Sequence, residues 1–127
     1  MPKAAVTDEK APRTGREAFL SVNACLRPLC SMDGSSVWTV EGIGSQRAGF
    51  HPVQSRLAAC NGSQCGFCTP GWVMSMWGLL RTSPKMLSSQ AIEDNFDGNL
   101  CRCTGYRGIF HAMHSFATDR PPAKANA

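Results

Sequence analysis

Four cysteines, placed as Cys65-x-x-Cys68 and Cys101-x-Cys103, are the side chains best suited to chemistry in this 127-residue chain. Thiolates are soft metal ligands, and two close pairs of them suit either an iron-sulfur cluster or a tetrahedral zinc ion. Spacing favours iron-sulfur. Zinc pairs commonly leave two to four residues between ligands, whereas Arg102 alone separates Cys101 from Cys103, and 32 residues, 69–100, divide the two pairs. Disulfides are a third reading, weakened by the odd total of seven cysteines. The first eight residues, MPKAAVTD, also lack the apolar core of a secretion signal.

The elements that must position these cysteines are legible around them. Thr69 and Thr104 each follow a pair and precede helical apolar periodicity, so both are expected as helix N-caps, with Pro70 at the first helical position. Two helix N-termini, with their free N–H groups and positive dipole ends, would then face an anionic centre. A first helix is expected from Pro52, with Val53 and Leu57 on one face and Asn61-Gly62 ending it in the left-handed conformation. A second is expected over 70–81, with Trp72, Met76, Leu79 and Leu80 as one stripe and Pro84 at its exit. Ser88 caps a third, in which Ile92 and Phe96 stack and Gly98 closes, and a fourth carries Tyr106, Ile109, Phe110, Met113 and Phe116. Upstream, Asp33-Gly34 signals a turn before a strand, Val37-Trp38-Thr39-Val40.

Gly62-Ser63-Gln64-Cys65-Gly66-Phe67-Cys68-Thr69-Pro70-Gly71 and Gly98-Asn99-Leu100-Cys101-Arg102-Cys103-Thr104-Gly105-Tyr106-Arg107 together closely resemble the iron-sulfur region of the xanthine dehydrogenase and aldehyde oxidase family of molybdenum hydroxylases. The likeness extends through Ser21-Val22-Asn23-Ala24-Cys25-Leu26, Val40-Glu41-Gly42-Ile43-Gly44 and His51-Pro52-Val53-Gln54, and covers about residues 19 to 118. It implies a mainly α fold: a small four-helix 2Fe-2S-binding domain over 49–118, preceded over 19–48 by a remnant of a ferredoxin-like β-grasp domain. It further implies that Cys65, Cys68, Cys101 and Cys103 ligate one 2Fe-2S cluster, and that Gln64 and Cys103 lie against the pterin of a molybdenum cofactor. Cys25 takes the place of the fourth ligand of another, plant-type cluster, whose Cys-x4-Cys-x2-Cys run has no counterpart before it. Cys25 is therefore expected to be an orphan ligand in a truncated or alternatively spliced product. Residues 1–18 read as a disordered leader and 119–127 as a disordered tail.

The function implied is electron transfer between a molybdopterin centre and a flavin. Both would be carried by missing domains or partner chains, with any oligomer formed through the parent enzyme in the cytoplasm. The chain itself shows no catalytic constellation and is expected not to be catalytic alone. Two other classes stay open: a truncated non-catalytic isoform and a zinc-stabilised interaction module. The net charge of +4 is carried largely by the ends, which argues against nucleic acid, and the most apolar stretch, 72–80, is too short for a membrane span.

Several other residues have plainer readings. His111 and His114 lack a third ligand and are expected at the surface or rim. Met74, Met76 and Trp77 read as core filling, and Cys30 and Cys60 as buried small hydrophobes. Arg102, forced beside an anionic site, would favour its reduced form. Gly108 stands where the family usually has proline and is expected to loosen the start of the fourth helix.

Overall fold

A computed structural model describes residues 3–8, 19–83 and 87–119. The fold is mainly helical, with one small sheet. Strands β1 (Lys3–Asp8), β2 (Phe19–Asn23) and β3 (Ser35–Trp38) form an antiparallel sheet in the order β2-β1-β3. Val6 stands opposite Leu20 on one flank and Val37 on the other. The leader expected to be disordered thus contributes the central strand over 3–8, while 9–18 fall outside the described residues. Its sequence, KAAVTD, has little strand character of its own. Pairing on both flanks satisfies its backbone groups and outweighs local propensity.

The strand expected over 37–40 begins and ends two residues earlier. Thr39 leaves the sheet to become the N-cap of α1 (Val40–Ile43), its carbonyl accepting from Gly42 N–H at 3.0 Å.

Helix α2 (Pro52–Ala59) starts at a capping box. His51 Nδ1 accepts from Val53 N–H at 3.2 Å, and Gln54 Oε1 accepts from His51 N–H at 2.8 Å. The Gln54 amide also donates to the carbonyls of Val40 and Gly44, at 3.2 and 3.3 Å, tying the preceding loop to the helix. The far end closes as expected: Asn61 is left-handed (φ 53°), its N–H donates to Ala58 O, and Gly62 N–H donates to Leu57 O. That pair of bonds is a Schellman motif.

Helix α3 (Thr69–Thr82) is the axis of the molecule and is buried continuously from Gly71 to Gly78. Trp72, Val73 and Met76 pack with Val53 and Leu57 of α2, Ile92 of α4 (Ser89–Asp94), and Ile109, Ala112 and Met113 of α5 (Arg107–His114). Met74 and Trp77 pack with Phe19 of β2 instead, so the helix carries two cores rather than the one stripe expected. Leu79 and Leu80, expected in that stripe, are half-buried at its edge. The Trp72 ring lies 4.6 Å from Phe96, 5.8 Å from Phe110 and 5.9 Å from Tyr106 between centroids. Its indole N–H is buried without a hydrogen-bond partner among the described residues, a cost of about 1–3 kcal/mol that the packing of so large a ring offsets.

Ser88 caps α4 as expected, accepting from Ala91 N–H at 3.1 Å. Asp119, expected in a disordered tail, accepts from Ser89 N–H at 3.0 Å and from its hydroxyl at 2.8 Å, so the carboxylate serves the first turn of α4. Pro84 and residues 120–127 lie outside the described residues. Among the described residues no helix is long and apolar enough to cross a membrane.

Candidate metal centre

Both cysteine pairs sit in loops held to α3. The first follows the Schellman end of α2. There Gly66 adopts φ +81°, and its carbonyl accepts from Thr69 N–H at 3.3 Å, folding Gly66-Phe67-Cys68-Thr69 into a tight turn. Cys68 itself is the N-cap of α3, with no side-chain capping bond. Thr69 is the first helical residue rather than the expected cap, and Pro70 the second. The Thr69 hydroxyl lies 2.7 Å from that of Ser63 and braces the cysteine turn.

The second pair is pinned from the middle of α3. Ser75 is 4% exposed, and its hydroxyl lies 3.1 Å from Asn99 Nδ2 and 3.3 Å from Ser21 Oγ of β2. Asn95 Nδ2 donates to the Ser75 carbonyl at 3.2 Å. Ser75 therefore joins the sheet, α3 and the approach to Cys101. The one hydroxyl inside the otherwise apolar run 72–80 was the available signal for this junction.

Beyond Cys101 the chain makes two successive left-handed residues, Gly105 (φ 61°) and Tyr106 (φ 67°). For tyrosine that conformation costs on the order of 1–2 kcal/mol. It turns the phenol back, so that Tyr106 Oη accepts from Cys101 N–H at 3.1 Å. Tyr106, not Thr104, is the N-cap of α5. Thr104 Oγ1 instead lies 3.0 Å from Cys101 Sγ and accepts from Tyr106 N–H at 3.2 Å. Both threonines thus serve the cysteine loops rather than the helix ends. A hydroxyl beside a sulfur loop has nearer partners than a helical N–H.

The four thiols meet in two cross-motif pairs, Cys65 with Cys103 and Cys68 with Cys101, each in side-chain hydrogen-bond contact. Burial, then the Cys101 thiol, push Cys68 up to about 11. Burial also opposes ionisation of Cys101, but the Thr104 hydroxyl, the N–H groups of Thr104 and Cys103, and the Cys68 thiol outweigh it and bring Cys101 down to about 7. In the other pair the Phe67 N–H and the Cys103 thiol lower Cys65, while the bond to Cys65 raises Cys103. Each pair thus joins a sulfur whose ionisation its surroundings favour to one whose ionisation they oppose.

Among the described residues no three or more His, Cys, Asp or Glu side chains gather as a single metal ion would need. Two facing pairs are the arrangement a two-iron centre uses, and an all-sulfur donor set suits it. The residues fit a 2Fe-2S cluster. The pairs differ in depth: Cys101 is 6% exposed and Cys68 half-buried, while Cys65 and Cys103 are open to solvent. Phe67 and Leu100, one residue ahead of Cys68 and Cys101, are 77% and 72% exposed. Gln64 and Arg102 are exposed at the same rim. An apolar cleft of about 430 Å³, lined by Val40, Phe50, Leu57, Pro70 and Val73, ends against Gly66.

The other candidates lie elsewhere. Cys25 is exposed in the turn after β2. Cys30 is exposed too, in a short 3-10 helix (Leu29–Met32) without buried residues, contrary to the expected burial. Cys60 is half-buried and packs against the main core. His111 is exposed, and His114 Nε2 pairs with Glu93 Oε1 at 3.0 Å. Met74, Met76 and Trp77 are core residues, as expected. Gly108 is not loose: a Cβ there would fall 2.6 Å from the Cys60 carbonyl oxygen and 2.9 Å from that of Asn61, so its bare backbone lets α5 approach the end of α2.

Residues 39–114 match the family described as 2Fe-2S binding domain. The chain belongs to that family, in the form found in the xanthine dehydrogenase and aldehyde oxidase family. It is 54% identical over 104 residues to xanthine dehydrogenase of Oryza sativa subsp. japonica, covering 82% of this chain and 8% of the relative. To aldehyde oxidase 1 of Bos taurus it is 53% identical over 105 residues, covering 83% and 8% respectively. The solved aldehyde oxidoreductase from Desulfovibrio gigas superposes with a TM-score of 0.73 at 29% identity, over 98% of this chain and 13% of that one. The chain thus spans less than a tenth of the length of these curated relatives.

Proposed function

We propose that Cys65, Cys68, Cys101 and Cys103 hold one 2Fe-2S cluster, and that the chain is the electron-transfer portion of a molybdenum hydroxylase of the xanthine dehydrogenase and aldehyde oxidase type. The observation that carries this reading is the cross-motif pairing of the four thiols at the head of α3. When bound, such a cluster accepts and passes on one electron at a time. The protein's own residues supply the rest. Thiolate is the ligating form of cysteine, so metal uptake releases protons from the thiols that hold it. The N–H groups of Phe67, Thr104 and Cys103 already point at the sulfurs and need no rearrangement to support added negative charge.

Electrons would enter from a molybdopterin centre and leave toward a flavin. Both belong to sequence outside this chain, whether further domains or partner subunits in the cytoplasm, and the chain alone would not be catalytic. Gln64 and Cys103, open to solvent at the rim, are the residues we assign to the pterin side. In the same reading, β2 and β3 belong to a ferredoxin-like β-grasp unit and α2 to α5 to a four-helix domain, with Cys25 the orphan ligand of a different cluster.

The test is anaerobic reconstitution of the full chain with analysis for iron, sulfide and zinc. About two irons and two sulfides per chain are expected. Cys65→Ser, Cys68→Ser, Cys101→Ser and Cys103→Ser should each lose the visible and electron paramagnetic resonance signals, and Cys25→Ser should keep them. Zinc at one per chain would establish the interaction-module alternative, and no metal at all the non-catalytic isoform.

A further inference from the structure

Thr104 lies in the cysteine loop, yet neither metal ligation nor helix capping uses its side chain. A hydroxyl has one proton and two lone pairs. Here the Tyr106 N–H already donates to Oγ1 at 3.2 Å, and Cys101 Sγ sits 3.0 Å away. A metal-bound cysteine sulfur carries no proton, so in the loaded protein the hydroxyl proton has the sulfur as its partner. The donated Tyr106 amide polarises the hydroxyl and strengthens that bond. The sulfur cannot swing away, because the Tyr106 phenol holds the Cys101 backbone N–H at 3.1 Å and its ring packs on Trp72. Cys101 is also the most deeply placed of the four sulfurs, at 6% exposure, where water competes least and a single hydrogen bond has its largest electrostatic effect.

Resting on the ligand assignment above, we propose that the Thr104 hydroxyl donates a hydrogen bond to the metal-bound Cys101 sulfur and holds the reduction potential of the centre more positive than the thiolates alone would set. Reduction adds one electron, taking one iron from ferric to ferrous with no bond made or broken, and the extra negative charge spreads onto the sulfur ligands. A donor aimed at that charge favours the reduced state. Thr104 is thus a tuning residue that acts through Cys101.

The experiment is a dithionite potentiometric titration, followed by electron paramagnetic resonance, of the reconstituted full chain and of Thr104→Val and Thr104→Ser. Valine keeps the shape and removes the hydroxyl; serine keeps the hydroxyl. The expected result is a more negative potential in Thr104→Val at unchanged iron content, with Thr104→Ser close to the parent. Equal potentials in the parent and a fully loaded Thr104→Val would overturn the proposal. If Thr104→Val fails to take up iron, Thr104→Ala is titrated in its place: a potential below that of Thr104→Ser supports the hydrogen bond, and a potential equal to it overturns the proposal. A parent chain that binds no iron at all removes the ligand assignment instead, an outcome distinct from an unchanged potential.

Discussion

At the scale of single residues, Gly108 reverses its sequence reading most sharply. Its two close carbonyl neighbours, from Cys60 and Asn61, leave no room for a side chain. Gly108→Ala is therefore expected to destabilise the chain by about 1–3 kcal/mol, as overpacking does. Urea unfolding monitored by circular dichroism measures this directly, and an unchanged midpoint would show that the two helices part freely. The two cysteine pairs, by contrast, stand out in the sequence itself, because spacing along the chain is a one-dimensional property. The roles of Thr69 and Thr104 do not. A threonine before a helix has the signature of a cap, and only the folded loop reveals that a serine hydroxyl or a cysteine sulfur stands closer than the helical amides. Tyr106 was read as part of an inward helical face, and its left-handed backbone left no trace in its side-chain type.

At the scale of elements, the start of α2 carries a pH dependence. Burial, and then the Arg81 charge on α3, lower the His51 pKa from its ordinary value of 6.5. Folding thus favours the neutral imidazole, whose Nδ1 is free to accept from Val53 N–H. This contribution to stability is complete above about pH 6.5, the unfolded value, and is lost as the pH falls through the lower folded value. His51→Asn, which caps without titrating, should therefore show a shallower fall in melting temperature between about pH 7 and pH 5 than the parent. Parallel curves for the two proteins would refute the assignment. The ends of α2 were legible because Pro52 and Asn61-Gly62 are local signals. The extent of α3 burial was not, since a stripe predicts one packed face and the second partner, the sheet, comes from distant sequence.

At the scale of the whole molecule, the sheet depends on residues whose composition gave no hint of order. β1 separates β2 from β3, and both flanking strands lean on it for their pairing. Deleting residues 2–8 should remove the sheet signal, expose Phe19 and Trp77 to dye binding and promote aggregation, because two unpaired strand edges remain. The helical core that α2 to α5 build around Trp72 and Met76 should still take up iron in that variant. Loss of iron binding on deletion would mean that the sheet supports the metal site more directly than the Ser75 junction indicates.

The continuous burial of Gly71 to Gly78 has an evolutionary corollary. An ordinary surface helix offers natural drift a solvent side on which exchanges are silent. This one offers none for eight consecutive residues, so an exchange to a charged side chain anywhere in that run has no solvent face to turn to.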